Sequence, residues 1–463
     1  MGMTLSGIMQ IGVSGAKAQQ SAIAVASHNI ANTNTPGYSR QRAELDTLPV
    51  LQTMNGQFGT GVQATTVTRS DSVFVDAALR TEGASQARYD TSSSGLQDLD
   101  AVLTSSGGVP MGQALTNFFN SAQALTTNPE SLSVRQTFID SGSKLAKLFN
   151  TAARQLDQLH SSRDTTVNQA ATDINSKLSQ VADLNKQIAT SEPNSGAAND
   201  LRDKRDMLVQ RLGTSMDLNV VEAANGSISI TANGESLVSG FNAMPVHAAS
   251  TGVPAQMEIQ SANGVSLTTT NGSLRGLKDV YDGETALRSQ LDTIAAGVIS
   301  NVNAIHAAPG AAFDLSGNPG VAFFTGTDAA DIAVNSVVAT DPSKVAAAST
   351  AAPGNNGAML KLVQLTDQKV LPSGTGAATL NDALTNLASG VGSQAKNALD
   401  LKSVHDLALT AWQQKQQSIN GVNMDEELSN MMTLQHAYQA AARVMSAVDM
   451  MMETIISKTG AGL

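Results

Sequence analysis

Histidine and cysteine are the side chains that would first indicate a metal centre or a thiol site. The chain has no cysteine, which excludes thiolate-bound zinc, disulfide bonds and thiol catalysis. Its histidines are His28, His160, His247, His306, His405 and His436. No HExxH motif occurs, and no two of these histidines share a short helical spacing, so the sequence predicts no metal site.

Motifs for hydrolysis and nucleotide binding are also missing. The sequence has no GxSxG nucleophile elbow, no GxxxxGK[ST] loop and no GxGxxG loop. Neighbouring carboxylates, which a glycoside hydrolase would need, occur as Asp98/Asp100 and Asp425/Glu426/Glu427. Both groups lie at or beside predicted helix ends, where acids are solvated and stabilise the helix dipole. The stretch "DLSGNPG" at 314–320 lacks the acidic series of a calcium loop and predicts a turn. We therefore predict no enzyme activity and no cofactor.

Composition narrows the possible partners. The net charge of −11 and the pI near 5 disfavour nucleic acid, since phosphate binding needs a clustered basic face. The sequence contains no apolar run of 18 residues, so it predicts no membrane insertion. The N-terminal residues do not resemble a cleaved secretory signal. Together these two observations favour the cytoplasm by default. Only 3% of residues are aromatic, so burial must come from many small and aliphatic side chains. Long helices packed side by side achieve such burial.

The elements that would position any site begin with a helix at residues 4–30. Its seam follows a 4/3 spacing and is made mostly of small residues: Leu5, Ile8, Gly12, Gly15, Gln19, Ala22, Ala26 and Asn29. Such a seam is too thinly apolar to stabilise a lone helix and favours a partner helix at close approach. The stretch "SHNIANTNTPGYSRQ" (27–41) ends the helix, and Pro36-Gly37 predicts a type II turn with Tyr38 at its exit.

The middle of the chain alternates between extended and helical patterns. Residues 35–75 are predicted to be extended, and helices are predicted at 73–103 and 111–125. Asn128, Pro129 and Glu130 read as the start of a long helix that keeps near-heptad spacing up to Glu192-Pro193. Another helix is predicted at 199–213, ended by Gly213.

A period-two pattern then replaces the helical one between residues 216 and 275. Asn-Gly pairs at 225–226, 233–234, 263–264 and 271–272 predict hairpin turns. Helical patterns return at 274–306, about 357–370, 379–419 and 424–458, separated by an irregular stretch at 307–356 with possible short strands at "IAV".

The last helix has the most regular apolar pattern. Met424, Leu428, Met431, Gln435, Tyr438, Ala442 and Met445 step by four and three, and Val448, Met452 and Ile455 continue after a phase slip. This methionine-rich face is consistent either with a buried core or with a seam between molecules, since Met adapts to different packing partners.

These elements together predict a mainly α fold with a β insert. The N- and C-terminal helices pair as a coiled coil, long helices form a rod, and a small antiparallel β domain lies at the far end. The predicted units are 1–34 with 424–463 as paired terminal helices, 35–215 with 276–423 as a discontinuous helical rod domain with extended segments, and 216–275 as an inserted β-hairpin domain.

The two ends resemble a known family when they are read together. "SHNIANTNTPGYSRQ" closely resembles the signature shared by bacterial flagellar rod, hook and hook-associated proteins, and "GVNMDEELSNMMTLQHAYQAAARVMSAVDMMMETI" resembles their C-terminal helix. The "GVNMDEEL" version is most similar to the hook-associated protein 1 family, the first of two hook–filament junction proteins. "ANDLRDKRDMLVQRL" and "GVAFFTGTDAADIAVN" are similar to the same family's rod domain.

This resemblance implies a structural protein of the bacterial flagellum. Its members are exported uncleaved by the flagellar type III apparatus and self-associate into a ring at the hook–filament junction, with hook protein below and the second junction protein above. It also implies a secreted, extracellular location and an export chaperone that holds the C-terminal helix. The implied assembly and subunit-interface residues are Asn29, Ile30, Asn32, Thr35, Pro36, Gly37, Tyr38, Leu428, Met431, Gln435, Tyr438, Ala442, Met445 and Val448. No function is assigned to His28 or Ser39.

Three alternatives remain open. Hook or distal rod proteins share both ends but lack the long 134–188 helix and the "FFTGTDAADIAVN" segment. A flagellar peptidoglycan hydrolase would need a carboxylate pair in a cleft. A free-standing adhesin would use the β insert.

Overall fold

The structure, a computed structural model of the chain, describes residues 4–53, 56–105, 110–252, 255–373 and 376–459. Its helices are α1 (Leu5–Ala31), α2 (Val73–Ser105), α3 (Met111–Thr127), α4 (Leu132–Ser195), α5 (Asn199–Gly213), α6 (Ser273–His306), α7 (Ser336–Thr340), α8 (Gly357–Gln364), α9 (Leu380–Asn420) and α10 (Met424–Thr459). Its strands are β1 (Gln41–Thr47), β2 (Leu51–Thr53), β3 (Gly56–Phe58), β4 (Val62–Arg69), β5 (Asn219–Glu222), β6 (Ile228–Ala232), β7 (Glu235–Ser239), β8 (Asn242–Ala243), β9 (Val246–Thr251), β10 (Gln256–Ser261), β11 (Phe324–Thr325), β12 (Ala333–Val334), β13 (Leu371–Ser373) and β14 (Gly376–Ala378). The predicted mainly α fold with paired terminal helices is confirmed.

The rod is built from α2, α4, α6 and α9. α2 packs along both α6 and α9, while α4 packs against α3, α5 and α6. A phenylalanine cluster, in which Phe138 stacks on Phe118 and packs against Phe323, forms the centre of the larger core. A second core joins the C-terminal half of α4 to the β insert through residues such as Ile174 and Ile230. Six of the ten phenylalanines therefore lie in this one core.

Strands β1 to β4 form two antiparallel hairpins between α1 and α2. The longer pair, β1 with β4, packs along α1, where the Val62 amide donates a hydrogen bond to Ser14 Oγ over 3.3 Å. The shorter pair, β2 with β3, extends the same ribbon. Helix α1 is thus covered by this ribbon as well as by its partner helix, α10.

The β insert contains one four-stranded sheet, in the order β5-β6-β7-β8, and the hairpin β9–β10. Only one of the Asn-Gly pairs makes a two-residue turn with positive φ at both positions: Asn233 has φ 49° and Gly234 has φ 82°. The prediction of a hairpin turn at Asn271-Gly272 is wrong, because Gly272, with φ 93°, is the residue before α6 and lies against the backbone of Ser215.

The β insert does not lie at the far end of the molecule, and this part of the prediction is wrong. Helix α4 has 64 residues and is about 96 Å long, so it returns the chain to the end where α1 meets the rod. Helix α5 then lies beside β4, where Asn199 Nδ2 donates to the Val67 carbonyl over 2.9 Å. The insert follows α5 directly. The far end is formed instead by α3, the start of α4 and the irregular stretch after α6, with Asn356 Nδ2 donating to the Thr126 carbonyl.

Two boundaries of α4 also differ from the prediction. Helix α3 runs to Thr127, which makes Asn128 its C-cap, so the N-cap of α4 is Ser131, whose hydroxyl accepts from the Val134 amide. At the other end α4 continues through Pro193 and stops before Gly196, whose φ of 78° ends the helix. Helix α5 ends at Gly213, as predicted. Gly213 does not have the left-handed φ that is typical of a glycine ending a helix.

Candidate functional site

Helices α1 and α10 pack as an antiparallel pair through small residues. A Cβ placed on Gly12 would lie 2.9 Å from Met445 Cγ, and one on Gly15 would lie 3.7 Å from Ala441 Cβ. Near the other end of the pair, Ser27 Oγ lies 3.8 Å from Met431 Sδ. The glycines of α1 therefore allow the close approach that its sparse apolar seam predicts.

The face of α10 toward α1 follows a heptad spacing, and we call it the inner stripe. Its residues are Glu427, Met431, Leu434, Ala441, Met445, Val448 and Met452, all buried or half-buried. They step by three or four positions except for one step of seven between Leu434 and Ala441. The phase slip in the sequence pattern arises because that pattern also takes Leu428, Gln435 and Ala442, which are not in this stripe.

A second row of α10, which we call the outer stripe, has no helix packed on it among the described residues. It comprises Met424, Leu428, Met432, Gln435, Gln439, Ala442, Ser446 and Met450, which follow one another by four or three positions. The exposed fractions of Met424, Leu428, Met432 and Met450 are 45%, 39%, 56% and 61%. Three of these large apolar side chains lie on successive turns at the start of α10, and so many exposed together indicate a surface that another helix covers.

The C-terminal residues predicted as interface residues are thus divided between the stripes. Met431, Met445 and Val448 lie in the inner stripe, and Leu428, Gln435 and Ala442 lie in the outer stripe. Tyr438 lies between them and is 40% exposed.

The N-terminal residues form the turn at the end of α1. The Tyr38 amide donates to the Thr35 carbonyl over 3.2 Å, and Gly37 has φ 78°, as expected for a type II turn with Pro36 and Gly37 at its centre. The side chain of Asn32 donates to the His28 carbonyl over 3.0 Å and so satisfies a carbonyl at the helix end. A Cβ on Gly37 would also approach Met207 Cε to 2.5 Å, so this turn rests on α5.

Asn29 is the centre of a buried polar cluster. It is 1% exposed, and its Oδ1 accepts from the Gln41 amide over 2.9 Å and from the Tyr38 hydroxyl over 2.8 Å. Its Nδ2 donates to the Gln41 carbonyl over 2.8 Å and to Glu427 Oε2 over 3.3 Å. One amide therefore holds together α1, the strand that leaves it and the start of α10. Ile30, the next residue, is only half-buried.

Tyr38 extends this cluster toward α5. Its hydroxyl lies 3.1 Å from His28 Nδ1, and the two rings pack edge to face. Burial, together with the negative charges of Asp200, Asp203 and Glu427, raises the pKa of Tyr38, so the phenol stays protonated and donates to Asn29. His28 was given no role from the sequence, but the structure makes it a packing partner of Tyr38.

Glu427 is the residue of this site that sequence reasoning missed. Its side chain is buried, which contradicts the expectation that the acids at the start of the last helix are solvated. Arg40 Nε and Nη2 each lie 2.6 Å from Glu427 Oε1. Arg40 lies in the N-terminal stretch that carries the family resemblance, and Glu427 lies in the C-terminal one. Their opposite charges were the signal in the sequence that could have predicted this pair.

A second polar network connects the same strand to α5. The Ser39 amide donates to Asp203 Oδ2 over 2.9 Å, and Arg69 Nη1 lies 2.9 Å from Asp203 Oδ1. Burial raises the pKa of Asp203, although these donors act in the opposite direction. The sequence assigns no role to Ser39, yet its backbone amide helps to fix the exit strand on the rod.

We call the contact of the α1 turn and the start of α10 with the rod the joint. An open groove of about 610 Å³ lies beside it and contains several carboxylates. Asp71, Asp203 and Asp206 are paired with Arg69, Asp76 accepts from Gln416, and Glu222 pairs with Arg202. Each carboxylate is thus engaged by a neighbouring donor. In the described ranges, no cluster of three or more His, Cys, Asp or Glu residues is arranged to hold a metal ion. None of the described helices is long and apolar enough to cross a membrane.

Three known families match the chain in the order of its elements. "Flagella basal body rod protein" matches residues 9–38, "Flagellar hook-associated protein FlgK helical domain" matches 96–324, and "Flagellar basal body rod FlgEFG protein C-terminal" matches 413–458. The first and last matches fall on α1 with its turn and on α10. The middle match falls on the rod and the β insert.

Relatives and a solved structure agree with these matches. The chain is 29% identical to flagellar hook-associated protein 1 of Bacillus subtilis (strain 168), with 96% of each chain covered. It is 25% identical to flagellar hook-associated protein 1 of Escherichia coli (strain K12), with 98% of this chain and 100% of that protein covered. The flagellar hook junction protein FlgK of Burkholderia pseudomallei has a similar fold, with a TM-score of 0.62 and 18% identity over 75% of this chain and 100% of that chain. The ordered family matches and these nearly full-length similarities support the identification that the two ends suggest: the chain is similar to flagellar hook-associated protein 1 (FlgK), a structural component of the bacterial flagellum.

Proposed function

We propose that this protein assembles into a ring at the hook–filament junction, where it adapts hook to filament without catalysing a reaction. The observation that carries the proposal is the outer stripe of α10, where Met424, Leu428, Met432 and Met450 are exposed and no helix covers them among the described residues. A second copy of the chain supplies the matching surface, because each copy in a closed ring presents the same helix pair to its neighbour.

The proposal gives each part of the chain a role. Residues 1–34 with 424–463 form the inner unit, 35–215 with 276–423 form the rod unit, and 216–275 form an insert that faces outward. Met431, Met445 and Val448 hold α10 to α1 within one copy. Leu428, Gln435, Tyr438 and Ala442 make contacts between copies. The turn residues Asn29, Ile30, Asn32, Thr35, Pro36, Gly37 and Tyr38 fix the direction in which the helix pair leaves the rod.

The same surface accounts for the partners that we propose. Hook protein lies below the ring and the second junction protein above it, both reached through the terminal helices. Before assembly, exposed Met and Leu side chains on α10 would promote aggregation, so a flagellar export chaperone covers this helix. The chain then leaves the cell through the flagellar type III apparatus and acts outside it.

A pair of matched double variants tests the role of the outer stripe. Leu428→Glu with Met432→Glu places two charges on the stripe, and Ser429→Glu with Thr433→Glu places the same charges, with the same spacing, on the next residues around the helix. All four positions are exposed in the isolated chain, so each double variant should change the free energy of unfolding by less than about 1 kcal/mol. Only the stripe variant should abolish filament attachment and swimming in cells that carry it as the sole copy.

Two outcomes would contradict the proposal. Normal filaments on cells with the stripe variant would show that the outer stripe does not bind neighbours. An equal loss in both variants would show that added charge, rather than the stripe, blocks assembly. Secretion of each variant into the medium should be measured in parallel, because a failure of export would otherwise resemble a failure of assembly.

The alternative of a hook or distal rod protein is favoured by one observation, the matches of both ends to rod-protein families. Immunogold electron microscopy separates the two assignments. The junction assignment predicts a single band of label at the hook–filament boundary. Label along the whole hook, or below the hook, would contradict the junction assignment and support a hook or distal rod protein.

A further inference from the structure

The inner stripe by itself leaves the register between α1 and α10 open. A shift of seven residues would bring Val448 or Leu434 to the place of Ala441, and Met452 or Tyr438 to the place of Met445. The buried residues of α1 other than Asn29 are glycine and alanine, and methionine adapts to different neighbours.

Glu427 is the feature that breaks this repeat. It is the charged member of the inner stripe and is 1% exposed, with Arg40 and Asn29 as its partners. A seven-residue shift in one direction would place its carboxylate opposite Ala22, and a shift in the other would place Leu434 opposite Asn29. Either shift leaves a buried polar group without its partner, which is far more costly than exchanging one apolar contact for another.

The partner of Glu427 is itself fixed to the rod. The Arg40 amide donates to the Asn420 carbonyl at the end of α9 over 2.8 Å, and the Arg40 carbonyl accepts from the Ser70 amide over 2.8 Å. The guanidinium therefore projects from backbone that the end of α9 and the residue after β4 hold in place. An ion pair with this side chain sets the position of the first turn of α10 relative to the rod.

We propose that Glu427, through Arg40 and Asn29, is the positioning residue that selects a single register for the α1–α10 pair and fixes the point at which the pair leaves the rod. A single buried polar contact in an otherwise apolar seam has this effect in coiled coils, where it selects one alignment at some cost in stability. In this chain apolar packing of the inner stripe holds the two helices together, and Glu427 selects their register.

Disulfide cross-linking of the full chain tests this proposal, because the natural sequence has no cysteine. Gly15→Cys with Ala441→Cys reports the native register, since a Cβ at Gly15 lies 3.7 Å from Ala441 Cβ and disulfides span 3.5–4.5 Å between Cβ atoms. Gly15→Cys with Leu434→Cys, or with Val448→Cys, reports the two shifted registers. The parent chain should form the native cross-link and almost none of the shifted ones.

Glu427→Gln should raise the shifted cross-links by about tenfold relative to the parent, as expected when a favoured alignment loses about 1.4 kcal/mol. The matched control is Asp425→Asn, which removes an exposed carboxylate from the same turn and should leave the pattern unchanged. An unchanged pattern in Glu427→Gln, or the same shift in Asp425→Asn, would overturn the proposal.

A second variant separates register from stability. Arg40→Met with Glu427→Leu replaces the ion pair by apolar side chains and should keep the helices paired, yet allow the shifted cross-links. If this variant forms only the native cross-link, the ion pair does not select the register. Loss of every cross-link in Glu427→Gln would show that the ion pair holds the helices together rather than aligning them, and would equally overturn the proposal.

Discussion

The rod and the terminal helix pair use opposite kinds of packing. In the rod, Phe138 is fully buried and its ring centroid lies 4.9 Å from that of Phe118 and 4.7 Å from that of Phe323. In the helix pair, the buried residues of α1 are Gly12, Ala16, Ala18, Ala22, Ala26 and Asn29. The rod has a core that is stable within one chain, whereas the helix pair leaves large apolar side chains on its outside.

The joint between these regions shows the same difference. Neither of the two apolar cores includes a residue of α1 or α10 within the described part of the chain. The contacts that cross the joint are mainly polar, and they centre on Asn29, Arg40 and Asp203. A polar joint of this kind allows the two regions to differ in stability, and it lets one side complete its packing only after assembly.

The largest expected difference between the regions concerns a core substitution in each. Phe138→Ala should lower the free energy of unfolding of the rod by about 3–5 kcal/mol, because it leaves a cavity among packed rings. Met445→Ala in the helix pair should cost less than about 2 kcal/mol, since its side chain is only half-buried. Urea denaturation followed by the fluorescence of Trp412, which packs against Phe74 at the rod, measures the first effect directly. Equal losses in the two variants would remove the contrast between the regions.

The stability of the rod should fall in acid because of the buried His306. Burial lowers the pKa of His306 to about 4, while its Nδ1 donates to the Val321 carbonyl and its Nε2 accepts from the Ala346 amide. In the unfolded chain His306 is protonated as the pH falls below about 6.5, whereas in the folded chain it stays neutral. Neutral His306 therefore contributes fully to the free energy of unfolding above pH 6.5, and this contribution falls as the pH drops toward 4. The loss over this range should reach about 3 kcal/mol.

Denaturation of the rod at pH 7 and pH 4.5 checks this, with His306→Gln as the comparison. The variant should be less stable at pH 7 but should lose less stability on acidification than the parent. An identical pH dependence in the two chains would show that His306 does not control it.

A smaller effect is expected at the joint. Tyr38→Phe removes the hydroxyl that donates to Asn29 and should cost about 1 kcal/mol, because a buried acceptor loses one partner. The matched control is Tyr438→Phe on the exposed part of α10, which should be neutral. Protease cleavage between the helix pair and the rod, measured for the isolated chain, should accelerate in the first variant only. Acceleration in both would assign the effect to the loss of tyrosine rather than to the joint.

An effect of similar size is expected at the backbone of the turn. Gly37→Ala should cost about 1 kcal/mol because φ is 78° there, and it should also displace the end of the Met207 side chain. Gly59→Ala, at a glycine without positive φ and with open space around it, is the control. Thermal melting of both variants gives the comparison. A Gly37 variant as stable as the parent would show that the turn tolerates another conformation.

Much of the helical framework could be predicted because its signals are local. The small-residue seam of α1 and the long repeat of α4 are periodic over many turns, and Pro36-Gly37 specifies a turn by backbone chemistry. The caps were less predictable, since Asn128 could serve the helix before it as well as the helix after it. The extra turn of α4 beyond Glu192 could not be inferred from periodicity alone.

The candidate site was harder to predict because its residues are distant in sequence. Asn29 and Tyr38 were found from the N-terminal signature, but Glu427 and Asp203 act through partners far along the chain. A charged residue in the first turn of a helix is normally exposed to solvent. Glu427 is buried instead because it pairs with Arg40, which is distant in sequence. The position of the β insert was missed for a similar reason, since it depends on where a helix of about 96 Å returns the chain.

A cryo-electron microscopy map of the intact hook–filament junction would show directly what the outer stripe contacts. We expect a ring in which the α1–α10 pair is innermost, with Leu428 and Met432 of each copy packed against a neighbouring copy and the rod further out. A map in which the outer stripe faces solvent, or in which α1 and α10 of one copy are not paired, would contradict this expectation.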